Sequence, residues 1–249
     1  SPEKGAKAAA VFDALNDIIL KIVNMIMYTA PLGVFALIAG MITDIAGSDG
    51  SALLPLFSAL GWYMITVLAG LMILVFIIYP LLLSLLTPGK VRTFFRSVYP
   101  AQLLAFSTSS SAATLPLTMK CCEENLKISP SVSRFVLPVG ATVNMDGTCL
   151  YQSVATIFIA QAFGISLDIS TQLTIIFTAT MASIGSAAVP GAGMIMLVLV
   201  LQSAGLPVQG ISLILAVDRI LDMFRTVVNI TSDSVVATIL DRKFGKTGV

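Results

Sequence analysis

Long apolar stretches alternate with short polar links along the chain, and their length and helical spacing predict membrane helices. Residues 8–46 begin with Asp13, Asp17 and Lys21 and turn apolar after Ile22, a first long helix with Pro31 as its kink. A second apolar run, 52–87, carries Trp62 and Tyr63 near one end, where interfacial aromatics concentrate. Region 90–124 differs: its apolar part is short, Pro100 interrupts it, and its middle reads FSTSSSAATLP. A full span over 130–162 contains NMDGT, region 168–205 is interrupted by ASIGSAAVPGAG, and a last helix covers about 208–243.

Charge then orients these segments. The basic links are the N-terminus (Lys4, Lys7), 90–96 (Lys90, Arg92, Arg96), 120–134 (Lys120, Lys127, Arg134) and the C-terminus (Arg242, Lys243, Lys246); 44–52, 163–172 and 203–211 have no Lys or Arg. Basic links stay on the cytoplasmic side. Segment 97–119 therefore enters and leaves from the cytoplasm, and 173–202 enters and leaves from outside. Both interrupted regions are expected to be re-entrant helical hairpins from opposite faces. Hairpin plus spanning helix thus occurs twice in opposite orientation (90–162 and 168–243), and each spanning helix has an Asn followed by an Asp. Inverted repeats with broken helices mark secondary transporters, whose sites lie at mid-membrane, and irregular backbone at that depth is tolerated only where it is buried or lines a cavity.

The last helix concentrates the polar chemistry. DRILDMFRTVVNITSD, residues 218–233, lies within an apolar run, and at about 100° per residue Asp218, Asp222, Arg225, Thr226, Asn229 and Asp233 share roughly a 100° arc. Arg219 points elsewhere. A charge at mid-bilayer costs about 3 kcal/mol on insertion scales, so such a face belongs against a protein interior or a watery cavity. Arg225 suits a carboxylate, bidentately, and Asp222, one turn away, suits an ammonium; the bland alternative is a network in which Asp222 merely neutralises Arg225. Asn229 and Asp233 can hold a cation. Asp218 is expected to pair with a lysine or a backbone group, and Arg219 to snorkel outward.

Composition narrows the class. The 249 residues are 57% hydrophobic and 11% charged, with mean hydropathy +0.96, far from the ~25% charged residues of soluble domains. A net charge of +1 gives no argument for nucleic acid as a partner, and the absence of histidine removes imidazole chemistry. Cys121, Cys122 and Cys149 show no metal or redox spacing and read as free thiols. The sequence opens with polar SPEKGAK, without initiator methionine or signal peptide, and reads as the C-terminal part of a longer chain.

The two tips and NMDGT complete the candidate site. Ser107-Thr108-Ser109-Ser110-Ser111 joins hydroxyls to a helix start, whose free N–H groups favour an anion. The second tip, Ser183 to Gly193, has the Gly and Pro that break a helix; its carbonyls suit Na+, its amides a carboxylate, and its glycines a hinged lid. In NMDGT, Gly147 disfavours regular helix, while Asn144, Asp146 and Thr148 offer oxygens to a hard cation.

STSSSAATLP, NMDGT, ASIGSAAVPGAG and DRILDMFRTVVNITSD, in this order and spacing, together resemble the glutamate/aspartate transporter family, the dicarboxylate/amino acid:cation symporters, over essentially the whole chain. The resemblance implies an all-α integral membrane fold with the inverted hairpin repeat, working as an elevator-type transporter. Residues 1–47 would be a scaffold helix and 48–249 the transport domain, with spanning helices 52–87, 130–162 and 208–243, re-entrant hairpins 90–124 and 168–205, and the second hairpin as extracellular gate. It implies a non-enzymatic symporter of L-aspartate or L-glutamate in the inner (plasma) membrane, lipid-embedded and homotrimeric through N-terminal scaffold helices that this sequence lacks. Substrate contacts fall on Ser110, Ser111, Thr148, Val189, Gly193, Asp222, Arg225, Thr226 and Asn229. One cation set falls on Gly140, Asn144, Asn229 and Asp233; a second on Thr142, Ser183, Ile184 and Ser186; a third on Asn144 and Asp146 with an earlier helix outside this sequence. Three positions depart from family patterns. Ala188 stands where glycine is usual, which stiffens the gate. Met223 and Gln152 stand where K+-countertransporting animal members carry arginine and glutamate, which points to the prokaryotic type.

Na+ is the expected coupling ion, with a proton-coupled glutamate or C4-dicarboxylate symporter as the alternative. A neutral amino acid carrier would not need Arg225, and a C4-dicarboxylate carrier would not want Asp222 facing its acids. A channel lacks a pore-lining ring here. An aspartyl intramembrane protease built on Asp146 and Asp222 explains neither Arg225 nor the hairpins.

Overall fold

A computed structural model describes residues 53–87, 89 and 91–244, with isolated positions between 7 and 43. Two units separate, Ser1–Leu53 and Leu54–Val249. In the first, the described positions are helical and mostly exposed; the Pro31 kink and the 44–52 loop lie outside the described residues.

The second unit holds the site. Helix α1 (Leu53–Ile73) continues through a π turn (Leu74–Ile78) into α2 (Tyr79–Leu86), with Pro80 in the first turn of α2, where a missing N–H is tolerated. Phe57–Leu86 is long and apolar enough to cross a membrane. Region 90–124 folds as α3 (Val91–Thr108) and α4 (Ser111–Lys120), which pack on one another, with a π turn at Cys121–Asn125. Region 168–205 folds in the same way as α7 (Ile169–Ile184) and α8 (Ala192–Ser203). The Asp168 side chain starts α7 by accepting from the Thr171 N–H at 2.8 Å. Both interrupted regions are thus helix–tip–helix units.

The 130–162 segment is two helices, α5 (Pro130–Val143) and α6 (Asp146–Ala162). The break falls at Asn144 and Met145, not at Gly147, which sits in the first turn of α6. A side chain at Gly147 would lie 2.9 Å from the Asn229 Oδ1 and 3.0 Å from the Arg225 carbonyl. Glycine serves close approach there, and the helix is broken just before it.

Helix α9 (Ile211–Phe244) follows a short 3-10 turn, Val208–Gly210, and at 34 residues is about 50 Å long. It packs against α2, α3, α4, α5, α6 and α8, and its polar face is buried among them. Leu137 of α5, Ile159 of α6, Leu197 of α8 and Leu221 of α9 are fully buried, whereas Phe76, Ile169 and Ile195 are exposed on the outside. An apolar exterior around a polar centre is what a lipid solvent favours.

Candidate functional site

Asp218, Asp222, Arg225, Thr226, Asn229 and Asp233 are all buried along α9, as the arc predicts. The Arg225 Nη2 donates to the Asp222 Oδ1 at 2.5 Å, three residues back on the helix. Its Nη1 lies 3.9 Å from the Asp218 Oδ1, and the guanidinium stacks 4.3 Å above the Tyr151 ring. Arg225 is thus held by more than Asp222. Asp218, expected to pair elsewhere, is the second carboxylate of this cluster. Among the described residues, three carboxylates (Asp218, Asp222, Asp233) and one guanidinium (Arg225) are the buried charges; ionised, they leave an excess of negative charge that favours cations nearby.

The first tip is two residues long. Ser109 has a φ of 53°; Ser110 is extended and caps α4, its Oγ accepting from the Ala113 N–H at 3.1 Å. The same hydroxyl donates to the Ala188 carbonyl of the second tip at 2.7 Å, and the Ala112 N–H reaches that carbonyl at 3.3 Å. The two tips therefore meet over α9.

The second tip runs from Gly185, which ends α7, to Gly191, which starts α8 with φ 77°. Glycine takes that left-handed conformation without steric cost. The Gly191 N–H donates to the Asp222 Oδ2 at 2.9 Å, tying the tip to α9. A side chain at Gly193 would meet the Arg225 guanidinium at 2.8 Å, and the Gly193 carbonyl accepts from the Gln152 Nε2 at 3.0 Å.

Between tips and helix lies a cavity of about 20 Å³, room for one water. Ser111, Thr148, Val189, Gly193, Asp222, Arg225, Thr226 and Asn229 line it together with Met145 and Ser186. Every predicted substrate-contact residue is in this lining except Ser110, which bonds across the tips instead. Admitting an amino acid requires a tip to move.

The cation-ligand candidates divide. The Asn144 Nδ2 donates to the Asp233 Oδ1 and to the Ser232 Oγ, both at 3.0 Å, and a side chain at Gly140 would collide with the Asp233 carboxylate. Gly140, Asn144 and Asp233 are together. Asn229 turns instead towards α6, where its Oδ1 accepts from the Gly147 N–H at 2.9 Å and its Nδ2 donates to the Thr148 Oγ1 at 3.1 Å. Of the second set, Ser183 in the last turn of α7 and Ser186 in the tip are buried, and Ile184 is exposed; the Thr142 hydroxyl bonds the Val139 carbonyl in its own helix. For the third set, Tyr79 of α2 donates to the Asp146 Oδ2. That bond comes from the 52–87 segment, and the earlier helix of this set lies outside the sequence.

Tyr79, Tyr151 and Ser232 escaped sequence reasoning, and Asp218 was placed on the arc but not paired with Arg225. Asp218 shares the α9 arc, and Tyr151 lies three residues beyond Thr148 on one face of α6, so both carried a helical-spacing signal. Tyr79 lies 67 residues from its partner and carried none.

The profile of the Sodium:dicarboxylate symporter family matches residues 1–243. Excitatory amino acid transporter 2 of Mus musculus is 48% identical over 229 residues, 92% of this chain and 39% of the relative. Excitatory amino acid transporter 1 of Ambystoma tigrinum is 46% identical over 239 residues, 96% of this chain and 43% of the relative. Excitatory amino acid transporter of Caenorhabditis elegans is 45% identical over 229 residues, 92% of this chain and 44% of the relative. The chain spans less than half the length of these relatives.

Proposed function

The chain belongs to the sodium:dicarboxylate symporter family, and from that premise we propose that its protein is a secondary active symporter. It takes up L-aspartate or L-glutamate with Na+ across the plasma membrane by elevator-type alternating access. The observation that carries this is the buried Asp222–Arg225 pair beneath two touching tips. An acidic amino acid is a dicarboxylate with an amine added: Arg225 takes its side-chain carboxylate, Asp222 its ammonium. Ser111 and the tip amides hold the α-carboxylate, with Ser110 reaching it once its bond to the Ala188 carbonyl opens, and Thr148, Thr226 and Asn229 complete the enclosure. Excitatory amino acid transporters as relatives favour this substrate class over a plain C4-dicarboxylate.

Charge accounts for the coupling. Asp218 and Asp222 share the Arg225 guanidinium, Asp233 is buried further along the helix with no basic partner among the described residues, and an acidic amino acid adds a further net negative charge. Unpaired buried charge is costly, so substrate enters with cations. Na+ is cargo here: Gly140, Asn144 and Asp233 offer oxygens of the hard type it prefers, with Asn229 one turn along α9. The second-tip carbonyls at Ser183, Ile184 and Ser186, with Thr142, form another position, and Asp146 with Asn144 and Tyr79 a third. Asp222 links the events, because its Oδ2 tethers Gly191; an incoming ammonium competes for that carboxylate and resets the tip.

Hairpins α3–α4 and α7–α8 enter the membrane from opposite sides, and residues 48–249 move as the transport domain against a trimeric scaffold. Met223 and Gln152 support a carrier without K+ countertransport. Uptake of labelled aspartate into vesicles tests the assignment. It should follow an imposed Na+ gradient at fixed pH and be competed by glutamate more than by succinate or serine. Uptake that follows only a proton gradient, or yields first to succinate, overturns it.

A further inference from the structure

Arg92 and Arg96 lie exposed one turn apart on α3 and make no hydrogen bond or ion pair among the described residues. They stand at one end of an apolar groove of about 910 Å³. Its walls include Phe76, Phe95, Leu103, Phe106 and Phe224. The rings of Phe106 and Phe224 meet edge-on at 5.1 Å, immediately behind the first tip and Arg225. The groove is unlike the small polar cavity at the tips, and none of the transport chemistry uses it.

We propose that this groove is a binding site for an anionic phospholipid of the cytoplasmic leaflet, with its phosphate on Arg92 and Arg96 and an acyl chain along the phenylalanines. Length supports it: from Arg92 to Phe106 is about 21 Å along α3, and one leaflet with its headgroup zone is about 20–22 Å deep. Charge supports it as well, since guanidinium forks match phosphate oxygens and unpaired basic residues stay on the cytoplasmic side. A zwitterionic lipid would satisfy the apolar walls and leave the two arginines without a net partner. The inference rests on the membrane reading of α3, and its test reads lipid retention, which does not depend on the transported substrate.

The test uses the purified protein in detergent, with phosphatidylglycerol or phosphatidylcholine of matched chains added, and counts retained lipid by native mass spectrometry. One phosphatidylglycerol per chain should be held at least tenfold more tightly than phosphatidylcholine. The double variant R92Q/R96Q should lose that preference, and R92K/R96K should keep most of it. Leu103→Trp, which fills the groove and leaves both arginines, should weaken retention about tenfold, as should two six-carbon tails on the lipid. Equal retention of the two headgroups, or an unchanged R92Q/R96Q, overturns the proposal. So does indifference to both tail length and Leu103→Trp, which would mean a surface charge patch only. Failure of maleimide to label a Leu103→Cys variant without lipid also overturns it, because another segment of the longer protein would then fill the groove. Should the arginine variants not fold, by their thermal transition, the tail-length and Leu103→Trp arms decide alone.

Discussion

The two hairpin tips solve the same problem, a chain reversal in the protein interior, in opposite ways. The α3–α4 tip uses two buried serines and no glycine, and the Ser110 hydroxyl caps the helix that follows. The α7–α8 tip is longer, richer in glycine and partly exposed, with Ala187 at the surface. It is held from outside itself: Ser110 and Ala112 bond its Ala188 carbonyl, and Asp222 bonds its Gly191 N–H. One tip is fixed by its own chemistry, the other by bonds that a ligand of Asp222 competes for. On the proposed mechanism, this difference suits the first hairpin to a fixed role and the second to the moving gate.

The largest expected effect tests where the second hairpin reaches the site. Gly193→Ala places a side-chain carbon 2.8 Å from the Arg225 guanidinium, which Asp222, Asp218 and Tyr151 keep from moving aside. Disturbing a buried charge pair costs about 3–5 kcal/mol, so aspartate affinity should fall at least about 100-fold by calorimetry. Gly185→Ala in the same tip, whose nearest neighbour would be Met196 at 3.9 Å, should change it little. Equal effects at the two glycines would break the assignment.

Ser110→Ala comes next. It removes both the α4 cap and the bond to Ala188, worth about 1–2 kcal/mol. A cysteine introduced at Ala187 should then react roughly tenfold faster with maleimide. Gly191→Ala forces an alanine to φ 77°, at a cost of about 1–2 kcal/mol, and should loosen the second tip while labelling at Ser107→Cys in the first stays unchanged. The smallest effect belongs to Ser109→Gly. It relieves φ 53° but adds backbone entropy to the unfolded chain, for a net stabilisation of about 0.5 kcal/mol. That is a slight rise in Tm with no change at the second tip.

The asymmetry was partly legible in the amino-acid pattern. Glycine and proline in 183–193 and hydroxyls in 107–111 separate the tips before any coordinates, and the charged arc of α9 marks the site beneath them. Helical spacing carries such information because it is local. Two features were beyond it. The helix breaks at Asn144 and Met145, and close approach to α9 makes Gly147 a contact point instead of a hinge. The Tyr79–Asp146 bond joins elements far apart in sequence, and no periodicity encodes which helix lands beside which. Asp218 was visible on the arc, but its partner was not, because the 3.9 Å approach of Arg225 depends on side-chain direction.

The central claim is that Arg225 reads the second carboxylate of an acidic amino acid and that cations offset the charge brought in. Aspartate and serine binding, measured side by side on the wild-type protein and on Arg225→Ala over a Na+ titration at fixed pH, tests it directly. The account predicts steep Na+ dependence for aspartate in the wild type. In the variant it predicts loss of aspartate affinity of at least about 100-fold, the scale of a broken buried charge pair, with serine weakened far less. Unchanged aspartate affinity in Arg225→Ala, or wild-type binding indifferent to Na+, would contradict it.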